Sequence, residues 1–192
     1  MANRSYLYSC NVIPGENEEK KLVGISEWNY DIPIVYKLLL SGNPQMCQSS
    51  IWDVEENIAI AGCYNTGVSN LSRFLDLIER EDAKELVKEA SDFLSSGINK
   101  GNYFILECGE IFDMNGEDLA GQNQELFEEL LNLDSSISRA LTSIKQPAPK
   151  GFIKRLFSKK QDKPQGDPLA PIYALGGLGN WSNILYYDFS NA

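Results

Sequence analysis

The chain has 192 residues, 43% of them hydrophobic and 23% charged, with a formal net charge of −10. These proportions are ordinary for a globular protein, and a chain of this length buries a sizeable core without disulfides or metals. The absence of histidine excludes Ser-His-Asp and Cys-His catalysis, His-ligated zinc and pH switching by imidazole.

The first third of the chain alternates strand and helix signals. A run rich in tyrosine and β-branched residues predicts a strand over residues 5–13. The aromatic segment that follows, VGISEWNYDIP, is too irregular to assign. Asp31 and Pro33 are typical of a helix start. Two apolar runs without helical spacing then predict short strands over residues 49–54 and 57–64.

Helical patterns dominate the rest of the chain. Apolar residues recur at helical spacing over residues 68–78 and again over 82–97, which predicts a helical hairpin. The apolar segment NYFILECGEIF is typical of a central strand. Residues 116–144 predict a long amphipathic helix that is interrupted near Asp134. A closing strand is predicted over residues 183–189.

These elements predict an α+β fold, with a mixed, mainly antiparallel sheet of about five strands packed against about four helices. Prolines within and around residues 146–168 prevent helix and strand continuation there and mark a connector. We therefore divide the chain into an acidic body over residues 1–145, a basic, proline-rich flexible connector over 146–168, and a C-terminal strand within 169–192 that returns to the body.

Charge is distributed unevenly along the chain. Between Lys145 and Pro168, seven basic and two acidic residues give a local charge of +5, which leaves −15 for the rest of a chain whose total is −10. A body this negative repels nucleic acids and favours basic partners. We interpret the basic segment as a mobile loop. The alternatives are a short helix docked on the acidic body and contact of residues 152–160 with an anionic membrane.

Other sequence features predict a cytoplasmic protein that has no cofactor. No apolar stretch reaches the roughly 18 residues of a membrane span, and no export signal opens the sequence. The four cysteines are widely spaced and form no C-x-x-C pair. Since metal and redox sites usually bring two cysteines close in sequence, we interpret all four as buried apolar thiols.

Two acidic stretches and one aromatic segment are candidate partner-binding surfaces. The stretches IWDVEEN and ECGEIFDMNGED concentrate carboxylates, and SEWNYD places aromatic rings beside them, a composition suited to gripping arginine or lysine. The candidate residues are Trp28, Tyr30, Asp31, Asp53, Glu55, Glu56, Glu110, Asp113, Glu117 and Asp118. Each segment also has a structural interpretation, as a solvated turn, a polar strand end before a helix N-terminus, or the lid of a core.

An alternative is a small carboxylate-dependent enzyme in which Glu107, Glu110 and Asp113 act as acid, base or metal ligands. A continuous strand would place Glu107 and Glu110 on opposite faces, which argues against a preformed pair. Asp118 occupies the position at which an EF-hand loop requires glycine. We therefore predict no catalytic residue and no metal site.

Four segments carry a resemblance to a known group: MANRSYLYS, ISEWNYDIPIVYKLLLS, IWDVEENIAIAGCYNTGVSNLSRFL and YFILECGEIFDM. They resemble a family of uncharacterised bacterial proteins, a domain of unknown function. The resemblance covers most of residues 1–145 and 170–192 and implies no catalytic residue. In kind, the chain is similar to the small acidic proteins that bacteria encode beside toxins as immunity partners.

The resemblance and the charge together predict a non-catalytic binding protein. Its expected activity is that of an immunity protein, which neutralises a cognate toxin domain, expected to be basic, by direct binding. A third hypothesis, besides the enzyme, is a scaffold subunit of a larger assembly. A scaffold would leave an apolar stripe exposed along residues 126–144 of the isolated chain.

Overall fold

The computed structural model describes residues 2–15, 19–114, 116, 118–145 and 176–187. The strands are β1 (Arg4–Cys10), β2 (Leu22–Asn29), β3 (Gln45–Cys47), β4 (Ala59–Cys63) and β5 (Tyr103–Glu107). The helices are α1 (Ile34–Leu40), α2 (Tyr64–Leu75), α3 (Lys84–Ser95), α4 (Gly109–Asp113), α5 (Leu119–Leu131) and α6 (Asp134–Lys145). A 3-10 turn, Glu81–Ala83, leads into α3.

The five strands form one sheet in the order β2-β1-β5-β4-β3, with every neighbouring pair antiparallel. This confirms the predicted α+β class and the number of strands. The described part of the chain has six helices rather than about four. The difference has two sources: the predicted long helix is divided into α5 and α6, and the short α4 follows β5 directly.

Two strands lie elsewhere than the sequence predicts. The irregular aromatic segment forms β2, and the predicted strand over residues 49–54 is wrong, because the structure has a loop there and a short β3 before it. The loop satisfies its backbone by a different route: the Ser49 hydroxyl accepts hydrogen bonds from the N–H groups of Ile51 and Trp52. An apolar segment whose N–H groups bind a local side chain does not need a ladder partner.

Both faces of the sheet are covered. One face packs against the helices, and its central side chains are Leu7, Ile25, Ile60, Phe104 and Leu106. On the opposite face, Tyr8, Cys10, Ala61 and Ile105 form a smaller core with Cys47. The strands of the sheet therefore bury side chains in both directions.

Helices α1 and α2 cross at very close range through glycine. A Cβ atom on Gly67 of α2 would lie 2.0 Å from the carbonyl oxygen of Leu39 in α1. Gly62 lies in β4, just before α2. A Cβ atom on Gly62 would lie 2.4 Å from the carbonyl oxygen of Leu40. No side chain fits at either position, so the two glycines set the separation between α1 and the β4–α2 unit.

The predicted interruption of the last long helix is confirmed. Helix α5 ends at Leu131 and α6 begins at Asp134, with Leu133 buried between them. The apolar stripe that a scaffold would expose is largely packed in the core, because Leu126, Leu130 and Ile144 are buried. None of the helices in the described ranges is long and apolar enough to cross a membrane.

A C-terminal segment, residues 176–187, lies along the outer strand β2. The backbone of Trp181 forms an isolated antiparallel bridge with Ser26, and the Asn183 side chain donates to the carbonyl of Gly24. The described part of the predicted closing strand, residues 183–187, has no strand assignment. The connector over residues 146–168 lies outside the described residues.

Cys63 differs from the other three cysteines, and this predicts selective thiol chemistry. All four are free, but only Cys63 is partly accessible, and the N–H of Thr66 at the start of α2 lowers the pKa of its thiol. Burial raises the pKa of the Cys10, Cys47 and Cys108 thiols. Because the thiolate is the reactive form, we expect one fast equivalent of a thiol reagent under native conditions. A Cys63→Ala variant should lose that phase; a second fast equivalent would contradict the assignment.

Candidate functional site

Glu107, at the end of β5, holds the 48–57 loop against the sheet. Its side chain is 1% exposed and accepts hydrogen bonds from the Tyr8 hydroxyl at 2.9 Å, the Ser49 hydroxyl at 2.6 Å and the Ser50 N–H at 2.7 Å. Burial raises the pKa of this carboxyl, while the three donors oppose the shift. Glu107 is therefore a buried structural acceptor that joins β1, β5 and the loop.

Glu110, in α4, fixes the other end of β1 in the same way. One carboxylate oxygen accepts from the Tyr6 hydroxyl and the other from the backbone N–H of Arg4, both at 2.9 Å. Tyr6 and Tyr8 are two residues apart on one strand and so project to the same face. The two carboxylates consequently lie on one side of the sheet, and the expectation of opposite faces is wrong. It assumed a continuous strand, whereas β5 ends at Glu107.

The carboxylates proposed for catalysis do not form one set. Glu107 is inaccessible, Glu110 is half-buried with both oxygens bonded, and Asp113 at the end of α4 is exposed. Burial and Glu110 together raise the pKa of Tyr6, so its hydroxyl remains a donor at neutral pH. Within the described ranges, no group of three or more histidine, cysteine, aspartate or glutamate side chains could hold a metal ion.

Trp52 brings the two acidic stretches together. Its indole nitrogen lies 2.3 Å from the point where a Cβ on Gly109 would stand, so the ring lies directly over that glycine at the start of α4. Trp52 precedes the acidic loop, and α4 carries the second acidic stretch. We call the exposed carboxylates of these two segments the acidic rim, and its members are Asp53, Glu55, Glu56 and Asp113.

The aromatic segment is connected through Asn3 to α4, the helix that carries Asp113. The Tyr30 N–H donates to the carbonyl of Asn3, whose side-chain amide donates to the carbonyl of Glu110. Tyr30 is 58% exposed and has φ 63, a left-handed conformation that bulky residues rarely adopt. The Asp31 carboxylate accepts from the N–H of Ile32. Tyr30 therefore presents its ring to solvent from a backbone that Asn3 holds in place.

The other candidates have different surroundings. Trp28 is partly buried against the helix-side core, which matches its interpretation as the lid of a core. Asp118 caps α5, where its carboxylate accepts from the N–H groups of Ala120 and Gly121. Glu117 lies outside the described residues, so its candidate role stays a prediction.

The rim carboxylates have no cationic partner within the described part of the chain. The ion pairs there are Arg4–Glu27, Lys37–Glu129, Arg80–Asp82, Lys84–Glu81 and Lys88–Asp92. None of these pairs includes a rim residue. The lysines and arginines of the described residues therefore do not neutralise the negative charge of the rim.

Residues 11–147 match the family described as a domain of unknown function, DUF7822. The chain belongs to this family. All ten candidate partner-binding residues fall within the matched range. Tyr6 and Tyr8, which bind Glu110 and Glu107, precede it. No curated protein and no solved structure matches the chain.

Sequence reasoning missed the residues that assemble the rim. Tyr6, Tyr8, Ser49 and Trp52 drew no functional interpretation, although they connect β1, the loop and α4. The alternation in SYLYS was a usable signal, since it places both tyrosines on one face of a strand. The contact of Trp52 with Gly109 joins residues far apart in sequence and left no comparable pattern.

Proposed function

We propose that the protein is a non-catalytic binding protein that captures a basic protein through the acidic rim and Tyr30. The observation that carries this proposal is the state of the rim: it has four exposed carboxylates from two segments, and none of them forms an ion pair with a lysine or arginine in the described part of the chain. Surface carboxylates that form no ion pair within the protein do not stabilise its fold. Their charge is available to a partner of opposite sign.

The rigid support beneath the rim favours binding over mere solubility. Glu107 fixes the loop through Ser49 and Ser50, and Trp52 packs on Gly109. A preorganised surface loses less conformational entropy when a partner binds. Tyr30 adds an exposed aromatic face beside the carboxylates, which suits the side chain of an incoming arginine or lysine.

The most specific form of the proposal is a bacterial immunity protein that neutralises a cognate toxin domain. Its support is the predicted charge of −15 outside the basic segment of a chain with net charge −10. A toxin that cleaves nucleic acid must be basic to hold phosphates. An acidic inhibitor would therefore be steered to it rapidly and would cover the surface that binds the substrate.

Neutralising the rim tests the proposal. In the variant Asp53→Asn, Glu55→Gln, Glu56→Gln and Asp113→Asn, each side chain keeps its size and loses its charge. We expect its affinity for the protein encoded by the gene beside its own, measured by calorimetry, to fall at least about tenfold. Wild-type affinity should itself decrease between about 50 and 300 mM salt, because exposed charges are screened.

A matched control separates the rim from net charge. The substitutions Asp76→Asn, Glu85→Gln, Glu89→Gln and Glu125→Gln also remove four exposed carboxylates, all outside the rim. This control should retain most of the affinity. An equal loss of affinity in both variants would show that net charge, and not the position of the rim, determines binding. Absence of any interaction between wild-type protein and its gene neighbour would remove the immunity form of the proposal.

A further inference from the structure

A groove separates helix α2 from helices α5 and α6. Its main depression has a volume of about 350 Å³, and the apolar side chains that line it include Leu38, Phe74, Leu77, Leu130, Leu131 and Ile137. Leu77 and Leu131 are 50% and 63% exposed, respectively. A second depression of about 220 Å³ shares Leu77 and continues along α6 past Leu141 and Ile144.

The shape suits an elongated occupant. Ile137, Leu141 and Ile144 follow one another at helical spacing on α6, so the two depressions extend over about two turns of that helix. Two neighbouring depressions that share Leu77 at their common edge can accommodate successive side chains of one bound segment. This is how an amphipathic helix binds to a groove, with anchors spaced by three or four residues.

The groove has the opposite charge to the rest of the protein. Among the described residues, Arg73 is the only charged one that lines the main depression; it is exposed and forms no ion pair with any of them. The second depression adds Lys145 and the carboxylate Glu79, and also Arg80, whose charge is already paired with Asp82. Within a chain of net charge −10, this groove is a local positive surface with an apolar floor.

Charge also distinguishes between possible occupants. The chain's own segment between Lys145 and Pro168 contains seven basic residues and would place like charges beside Arg73. A second copy of the chain would bring its entire net charge of −10 against this one, whereas a short acidic segment places its carboxylates at the groove alone. An acidic segment of a different protein pairs with the groove and buries its apolar floor.

We propose that this groove binds an amphipathic helical segment of another protein, with leucine-like anchors on one face and a carboxylate that pairs with Arg73. The surface is separate from the acidic rim in residues and opposite in charge. One chain could thus hold a basic partner at the rim and an acidic helix at the groove.

Two synthetic peptides test the proposal on the full-length protein. Each has about eighteen residues, enough to form a helix, with leucines at positions i, i+3, i+4 and i+7. The remaining positions are mainly glutamate in one peptide and mainly lysine in the other. Net charge alone predicts tighter binding of the lysine peptide. The proposal predicts that the glutamate peptide binds at least about tenfold more tightly in fluorescence anisotropy.

Three variants locate the binding site. Arg73→Glu should weaken the glutamate peptide about tenfold, and Leu77→Asn should weaken it by a similar factor. Ile98→Asn, at a 69% exposed residue outside the groove, should leave its affinity within about twofold, as expected of a residue outside the contact. Methyl NMR shifts of Leu77, Leu131 and Ile137 on titration would place the peptide in the groove.

Several outcomes would overturn the proposal. Tighter binding of the lysine peptide, or equal losses in Leu77→Asn and Ile98→Asn, would show that the groove is not the binding site. Self-association of the wild-type chain that Leu77→Asn abolishes would assign the groove to a second copy. Binding of the glutamate peptide only after deletion of residues 149–163 would assign it to the chain's own basic segment.

Discussion

Substituting Gly67 with alanine is expected to destabilise the protein by about 3 kcal/mol or more, although alanine is the better helix former by about 1 kcal/mol. The added Cβ would lie 2.0 Å from the carbonyl oxygen of Leu39. That oxygen belongs to the backbone of α1, so relief requires the two helices to move apart. In a chain of this size the loss should lower the thermal midpoint by about 6–12 °C.

Gly97 provides the control for this prediction. It is exposed, its φ is outside the left-handed region, and an added Cβ would meet no atom within 4 Å. Gly97→Ala should be neutral or stabilise by up to about 1 kcal/mol, because alanine restricts the unfolded chain. Chemical denaturation of both variants measures the difference. A Gly67→Ala variant as stable as wild type would show that the α1–α2 separation is not fixed by that contact.

Helices were predictable where one face alone is buried. Helix α3 shows this, since Leu86, Ala90 and Leu94 are buried and the residues between them are mostly exposed. The same periodicity predicted α2, and the capping residue Asp134 predicted the break before α6. These elements follow from local sequence patterns, because the hydrophobic spacing and the residue that begins the new helix each lie within one short segment.

The strands were harder to predict for a physical reason. β2 packs between β1 and the returning segment 176–187, so its pattern reflects distant neighbours rather than simple alternation. The apparent strand over residues 49–54 has suitable apolar residues, but its N–H groups bind Ser49 instead of a neighbouring strand. The strand propensity of these residues therefore indicated an extended backbone, but not whether a neighbouring strand pairs with it.

The sequence indicated which residues belong to the candidate site, but not how they are arranged in space. The sequence places Tyr30, Asp53 and Asp113 in three separate segments. Their proximity depends on long-range contacts, the Asn3 bridge to Glu110 and the packing of Trp52 on Gly109. Hydrogen bonds between residues about a hundred positions apart leave no local signal. Only the fold shows that the two acidic stretches meet, where Trp52 packs on Gly109.

Glu107→Ala should be among the most destabilising single substitutions, costing about 3 kcal/mol or more. It removes one acceptor from three donors, the hydroxyls of Tyr8 and Ser49 and the N–H of Ser50. It also leaves a cavity beneath the 48–57 loop, and the acidic rim would lose its support. Denaturant unfolding measures the loss. Glu85→Ala, on an exposed face of α3, should stay within about 0.5 kcal/mol of wild type.

The stability that Glu107 contributes should depend on pH with a definite sign. Burial raises its pKa above the ordinary value of 4.5. At a pH between 4.5 and this raised pKa, the folded state therefore binds more protons than the unfolded chain. The contribution is then complete below pH 4.5 and is lost as the pH rises through the folded pKa. Relative to Glu107→Gln, which does not titrate, the wild-type free energy of unfolding should decrease from acidic to neutral pH. An increase would show that the three donors outweigh burial and hold the carboxylate ionised.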